Sequence, residues 1–441
     1  MLSPSSIIDL TIEKPAAGGR MVARHEGQVV LVHAAIPGER VRAVVERVGQ
    51  GVAYATAMDI LEPSPDRRTG IHDWACGGNV YTHIAYPRQL QLKAEIIADT
   101  LARIGKMTIE APVRVASSPE AGYRMRARFH VRGRRLGYFR EGTHGMCDPA
   151  STRQLLPETC ELVDALSAAL GDGRLDGVTE IELGENVPAT ERALHVELAR
   201  PHVPHGLAGL AALPSVVGVA ATFGTAGRGA GGGLRRTVTV GGTACVLDTL
   251  RLSSRGGPDV EVRLQHHAQA FFQANRYLLA PLAARVVSLV PDGPVLDLYA
   301  GVGLFSASLA ASGWDSVIAV EGDRAGAADL RANAAPFGSA LAPVEMAVEA
   351  YLATHPTSAE TTIIVDPPRT GMSREASTAM AAQNARTLIY VSCDVATFAR
   401  DARKLVDAGY RLSHLEAFDL FPNTAHVEAL GVFSGTPTSP A

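Results

Sequence analysis

Cys393 stands where an apolar run, LIYVSCD, gives way to the helical spacing that begins at Thr397. A thiol beside a helix N-terminus has its thiolate favoured, which makes it a better nucleophile. The preceding apolar run, IIVDPPRTG, closes on Asp366 and two prolines. A Pro-Pro pair stops a strand and leaves a stiff loop lacking two backbone donors. Near the end of the chain, FDLFPNTAHVEALGVF carries His426 and Glu428 two residues apart. On a strand that spacing puts both on one face. A carboxylate in so apolar a segment is a candidate proton acceptor.

A second group of residues fits a nucleotide-like ligand. VLDLYAGVGLFS reads as a buried strand breaking into a glycine turn ahead of a helix. Gly301 and Gly303 allow a tight turn and close approach of a ligand beside the helix N-terminus. The full dinucleotide fingerprint is not met, because Ser306 occupies the third glycine position. The next strand ends in AVEGD, so that Glu321 can accept hydrogen bonds from both hydroxyls of a ribose. The turn and the acid together point to an adenosyl cofactor, and a ligand without phosphates accounts for the missing glycine.

These residues sit on alternating elements. From residue 266 to 441, strands such as PVLDLYA, SVIAVEGD, TTIIVDPPR and TLIYVSCD alternate with helices. That alternation predicts an α/β domain with a doubly wound, mostly parallel sheet, in which ligands bind at the C-terminal ends of the strands. Residues 1–62 read as short strands broken by AAGGR, IPGER and RVGQG, the pattern of a small β-barrel. Residues 63–265 form a central α+β region. It opens on a linker and a helix over 90–105, in which Leu92, Ile96, Ala98, Leu101 and Ile104 recur at roughly helical spacing, and which is placed to pack on the last domain. The Gly-rich GTAGRGAGGGLRR reads as a hairpin loop, since no phosphate-binding Lys-Ser/Thr follows.

With 441 residues, 46% of them hydrophobic and 20% charged, the chain supports two or three folded domains. It shows no apolar run long enough to span a bilayer and no secretory pattern at its start. Five cysteines suit a reducing, cytoplasmic setting better than a disulfide scaffold. The net charge of −4 gives no global case for nucleic acid, although a local basic groove remains compatible with it. YRMRARFHVRGRRLGYFR supplies such a local surplus. Arg124, Arg126 and Arg128 alternate on one strand face, and Arg132, Arg134, Arg135 and Arg140 follow around Gly133. The barrel adds Arg20, Arg24, Arg40, Arg42 and Arg47. These arginines are expected to line a groove for a nucleic-acid phosphate backbone, Arg124, Arg126, Arg128, Arg132 and Arg134 above all.

QANRY, DLYAGVGLFS, AVEGD, VDPPRTG, YVSCD…TFARD and FPNTAHVE, in this order, resemble the RNA 5-methyluridine methyltransferase family. The likeness covers the C-terminal half closely. The first sixty residues resemble the TRAM domain, an OB-like RNA-binding module, and the Arg-rich stretch resembles the family's central domain. The resemblance implies a Rossmann-like class I methyltransferase domain that uses S-adenosylmethionine. It implies Cys393 as nucleophile and Glu428 as base, with Gln273, Tyr299, Glu321 and Asp366 contacting the cofactor. Leu304 fills a further cofactor position that is polar in some members. The implied chemistry has a physical logic: carbon 5 of uracil is a poor nucleophile until a thiolate adds to carbon 6 and makes the ring an enolate. The base then removes the carbon-5 proton so that the thiol can leave. Reaching the ring face requires the target nucleotide to be flipped out.

Two departures stand out. Many members hold an iron–sulfur cluster on C-x5-C-G-G-C and a distant fourth Cys. Here GIHDWACGGN keeps Cys76 but has Gly70 and Asn79 at two ligand positions, while Cys160 matches the fourth. Two thiolates cannot hold such a cluster, so none is expected. SCDVAT also replaces the commoner SCNPAT, which puts Asp394 and Val395 beside Cys393, and a neighbouring carboxylate tends to raise a thiol pKa. TRAM-bearing relatives mostly act on large-subunit ribosomal RNA, some on the T-loop of transfer RNA; the expectation here is 23S ribosomal RNA as partner, with a monomeric enzyme. Rival readings are an S-adenosylmethionine-dependent N-methyltransferase built around the D-P-P loop, and a non-catalytic RNA-binding protein.

Overall fold

Alternating burial shapes the first strands. The computed structural model describes residues 2–69, 73–140, 143, 145–224, 236–252 and 258–435. β1 (Ile7–Pro15), β2 (Met21–His25), β3 (Gln28–His33), β4 (Arg40–Val48) and β5 (Val52–Glu62) close into a barrel in the order β1-β2-β3-β5-β4. Ile8, Leu10 and Ile12 alternate inward along β1 to meet Val30, Val41 and Ala53. β3 and β5 run parallel and the other pairs antiparallel, as a partly Greek-key, OB-like barrel requires.

α1 (Tyr86–Thr100) starts four residues earlier than the sequence pattern indicates, with Pro87 in its first turn. Its buried face is made by Leu92, Ile96 and Ile97 together with three polar residues, Gln89, Lys93 and Thr100. Its last turn loosens over Leu101–Gly105, and Lys106, at φ 53°, ends it. β6 (Arg114–Ala116) follows. The Arg-rich segment forms a hairpin of β7 (Arg126–Arg132) and β8 (Arg135–Phe139), with Gly133 at φ 62° in the turn. β9 (Met146–Cys147), α2 (Pro157–Gly171), β10 (Val178–Glu185), β11 (Arg192–Leu198), β12 (Val216–Phe223) and β13 (Arg236–Gly242) complete a central sheet ordered β13-β12-β11-β10-β7-β8-β9. Phe129, Leu166, Ile181 and Leu194 fill the layer between this sheet and α2. Most of the Gly-rich loop, residues 225–235, lies outside the described residues, as does Gly70; the flanking β12 and β13 pair antiparallel.

β14 (Cys245–Leu252) and β15 (Val260–His267) form a separate hairpin. Its Leu250, Leu252, Val262 and Leu264 share a core with Leu279 and Leu282 of α3 (Leu279–Leu289), so the step from 265 to 266 falls within a strand. Beyond it come β16 (Val295–Leu298), α4 (Leu304–Ala311), β17 (Val317–Glu321), α5 (Arg324–Ala334), β18 (Leu341–Glu345), α6 (Val348–Thr354), β19 (Thr362–Val365), α7 (Arg374–Ala381), β20 (Thr387–Ser392), α8 (Val395–Asp407), β21 (Arg411–Phe418) and β22 (Glu428–Ser434). The sheet order is β18-β17-β16-β19-β20-β22-β21-β6. β16 to β20 are parallel and β22 is antiparallel to its neighbours. Continuous apolar runs such as TIIV and TLIYVS are buried because helices cover both faces of this sheet. α1 is tied to the same body: the Lys93 ammonium donates to Asp419 Oδ1 at 2.5 Å, and Gln89 Nε2 donates to Asn423 Oδ1 at 2.9 Å.

The cysteines correct one expectation. Cys76 is joined to Cys147 in a disulfide, while Cys160, Cys245 and Cys393 are free. The partners are 71 residues apart and meet because Cys76 pairs through its backbone with Arg140, beside β9. Spacing along the chain carries no sign of that encounter.

Candidate active site

The glycine turn after β16 builds a pocket walled by Phe271, Phe272, Gln273, Tyr299, Ala300, Gly301, Val302, Leu304, Phe305 and Asp366. Tyr299 at φ 58°, Gly301 at φ 58° and Gly303 at φ 94° turn the chain out of the strand. A side chain in that left-handed region is strained, and its occurrence at Tyr299 marks a geometry fixed for use. A Cβ on Gly303 would stand 2.8 Å from Leu330 Cδ1, so the turn is packed as well as bent. Glu321, at the end of β17, accepts the Gly301 N–H at 2.7 Å. Burial raises its pKa, against backbone donors that lower it. Each of its oxygens keeps a further lone pair, so it can still receive ribose hydroxyls.

Asp366 opens the loop after β19, and Gln273 Nε2 donates to its Oδ2 at 3.3 Å. Burial and the nearby Asp297 carboxylate hold Asp366 well above the usual carboxylate range. Asp297, in β16, is fully buried; it accepts the Ser306 N–H at 3.1 Å, and burial pushes its pKa up to about 7. Such an acid-lined apolar cradle favours a cation, because a positive ligand replaces the lost hydration of the carboxylates. The donor set therefore fits S-adenosylmethionine: hydroxyl acceptor at Glu321, backbone at the glycine turn, carboxylates at Asp366 and Asp297 beneath it.

Cys393 lies just past β20 and Glu428 begins β22. The antiparallel register runs to Ser392 opposite Ala429, so the next step sets Cys393 opposite Glu428. Glu428 is buried, and burial together with Asp366 drives its pKa far above the carboxylate range. Burial first, then Glu428 and Asp366, push the Cys393 thiol up to about 12, against the Arg369 guanidinium, which lowers it and hydrogen-bonds it. The helix N-terminus alone does not make this thiol a thiolate.

Several sequence expectations change here. Asp394 does not act on the thiol as its adjacency suggested: its side chain caps α8, accepting the Thr397 N–H at 2.8 Å, and the carboxylates that raise the thiol come from other strands. His426 and Glu428 do not share a face, because the strand begins only at Glu428; His426 is exposed and Glu428 buried. Arg369 escaped notice as a site residue, being the polar end of a turn; its place two residues after the Asp366-Pro367 step was the available signal. Asp297 was equally legible, as the one charge in the buried VLDL.

The arginine face is divided. Arg126 donates through Nη2 to Ala268 O at 2.9 Å and through Nη1 to Ala270 O, so its guanidinium is held within the protein and is withdrawn from the expected groove. Arg128 is exposed but pairs with Glu182, and Arg134 donates to Gly171 O at 3.0 Å. Arg124 lies 5.6 Å from the Phe421 ring and Arg132 is exposed. On the barrel, Arg20, Arg24, Arg40 and Arg42 pair with Glu46, Glu13, Glu62 and Asp9, and Arg47 covers the Tyr54 ring at 3.4 Å. For a cluster the donors do not fit: Cys76 is committed to Cys147 and Asn79 offers an amide.

A ligand turn at the end of the first strand, an acid at the end of the second and reactive groups on the fourth and fifth define a Rossmann-like class I methyltransferase. Residues 355–435 match the model of the tRNA (Uracil-5-)-methyltransferases and residues 4–58 that of the TRAM domain. A 23S rRNA (uracil(1939)-C(5))-methyltransferase RlmD of Pseudomonas putida is 33% identical over 96% of this chain and 93% of its own. The RlmD of Alkalilimnicola ehrlichii is 30% identical over 98% and 97%. The chain belongs to the S-adenosylmethionine-dependent RNA uracil-C5 methyltransferase family. The crystal structure of the Pyrococcus abyssi tRNA (uracil-54, C5)-methyltransferase with S-adenosyl-L-homocysteine shares the fold, at a TM-score of 0.72 and 22% identity over 97% of this chain and 100% of that one. Among the described residues no helix is long and apolar enough to cross a membrane.

Proposed function

We propose that this enzyme methylates carbon 5 of one uridine in 23S ribosomal RNA, with Cys393 as covalent nucleophile and Glu428 as the base. The carrying observation is the register that sets Cys393 opposite Glu428, beside the Asp366 wall of the cofactor pocket. Cys393, its proton released to solvent, adds as the thiolate to carbon 6 of the flipped uracil, and Arg369 stabilises that thiolate. S-adenosylmethionine supplies the electrophilic methyl group. Gln273, Tyr299, Glu321, Asp366 and the backbone at Gly301 and Gly303 hold the cofactor. Glu428, once it has given up the proton that burial and Asp366 favour on it, takes the carbon-5 proton; carbon 6 then expels Cys393 and the double bond is restored.

Relatives named for 23S rRNA match nearly the whole chain at 30–33% identity, which supports ribosomal over transfer RNA. The exposed side chains of Arg128, Arg132 and Arg134, with Arg124 beside Phe421, supply contacts to the RNA backbone. The enzyme acts as a cytoplasmic monomer. The test is methylation of unmodified 23S rRNA and transfer RNA transcripts with labelled S-adenosylmethionine, followed by mapping of the product. The proposal expects 5-methyluridine at one site in 23S rRNA; label only in transfer RNA, or on an amine, would refute it.

A further inference from the structure

Between β15 and α3 the chain turns at Ala268–Ala270, then runs through residues 271–274, which carry three residues of the cofactor pocket, Phe271, Phe272 and Gln273. Phe272 is buried and stacks on the His266 ring, but Phe271 is 65% exposed, so packing alone does not fix the whole wall. Polar groups from neighbouring elements do. At its start, Asp329 of α5 accepts the His267 N–H at 2.7 Å. At its end, the Met125 N–H donates to Ala274 O at 2.9 Å, and the Arg276 guanidinium pairs with buried Glu185. Between these anchors, the turn at 268–270 is held by the Arg126 guanidinium on the carbonyls of Ala268 and Ala270. Opposite Arg126 in the β7–β10 register stands Gly184, which packs against Ala268: a Cβ there would make an ordinary contact, 3.5 Å from the Ala268 Cα.

We propose that Arg126 is a positioning residue for the cofactor wall: its two-pronged grip on the carbonyls of Ala268 and Ala270 sets Phe271, Phe272 and Gln273 against Asp366. The central domain thereby takes part in cofactor binding through a residue that never touches the cofactor. A planar guanidinium suits this role because it reaches two acceptors at fixed geometry; an ammonium serves them poorly. The inference rests on the reading of the Phe271–Asp366 pocket as the cofactor site.

The experiment measures S-adenosylhomocysteine affinity by calorimetry on full-length Arg126→Met, Arg126→Lys and Gln273→Ala, with RNA affinity at several salt concentrations. Arg126→Met is expected to weaken the ligand about 10-fold or more, the usual consequence of losing hydrogen bonds to a charged group. Arg126→Lys should recover part of that loss. KM for the cofactor should rise with KM for RNA unchanged, and the salt slope of RNA binding should stay at the wild-type value. Two results would overturn the proposal: ligand affinity within about 2-fold of wild type in the Arg126 variants while Gln273→Ala weakens it, or a salt slope reduced by about one phosphate contact. An unaffected Gln273→Ala removes the pocket reading itself, and the proposal with it. If Arg126→Met does not fold, Arg126→Lys, which keeps the charge, decides by the same measurements.

Discussion

Cys393 and Glu428 each lie one residue beyond the last registered pair of β20 and β22, Ser392 with Ala429, and the Glu428 charge acts on the Cys393 thiol. Two antiparallel strands so placed deliver a thiol and a carboxyl to the same spot from segments 35 residues apart. Neither group rests in its reactive state. The thiol is pushed up to about 12 and the carboxyl is held far above its usual range, each by burial and by the negative charges around it.

Arg369 is the cation that offsets these charges. It lowers the Cys393 thiol and the Glu428 carboxyl alike. Arg369→Met is expected to reduce kcat by about 100-fold with little effect on RNA affinity, as loss of a preorganised charge at a reacting group does. A pH–rate profile checks the cause: activity should rise with pH as the thiol ionises, and the rising limb should move to higher pH in the variant.

Asp297 links folding to pH. Its pKa is raised to about 7 in the folded protein, so between the ordinary Asp value and pH 7 the folded state binds the proton more tightly than the unfolded state. Unfolding then releases the proton, and stability falls as pH rises through this window. Thermal melting of the ligand-free protein should decline from pH 5 to pH 7.5, and Asp297→Asn should flatten that decline. S-adenosylmethionine affinity should drop in the same variant more than that of the uncharged thioether S-adenosylhomocysteine, as expected of an acid that supports a cationic ligand site.

Lys93 and Asp419 are both fully buried and pair at 2.5 Å, with Lys93 also donating to Phe421 O at 3.1 Å. The pair pins the start of the loop that leads to Glu428. Lys93→Met leaves Asp419 buried without its counter-ion, which typically costs about 3–5 kcal/mol. Urea denaturation should show that loss, and Lys93→Met with Asp419→Asn should recover much of it.

The disulfide has a chemical signature. Under denaturing, non-reducing conditions a maleimide should label Cys160, Cys245 and Cys393, and only reduction should expose Cys76 and Cys147. Labelling of all five cysteines without reductant would show that the purified protein lacks the bond.

What the sequence made legible is what lies contiguous with its own element. Glu321, Asp366 and Cys393 end strands whose apolar runs announce them, and the glycine turn is written in one segment. Arg126 shows the limit. Alternation along β7 correctly separates its two faces, yet it carries no information about what covers one of them, and the turn at Ala268 arrives from 142 residues away. The same holds for Cys76 with Cys147. Asp394 failed for the opposite reason: adjacency along the chain stood in for proximity, whereas the helix cap turns its carboxylate onto Thr397.

The central claim, that Cys393 attacks the uracil and Glu428 releases it, is tested most directly by incubating Glu428→Gln with substrate RNA and labelled S-adenosylmethionine, then running a denaturing gel. The account predicts a methylated RNA–protein adduct that accumulates without turnover and is absent from Cys393→Ala/Glu428→Gln. Wild-type turnover by Glu428→Gln with no adduct, or methylation of carbon 5 by Cys393→Ala, would contradict it.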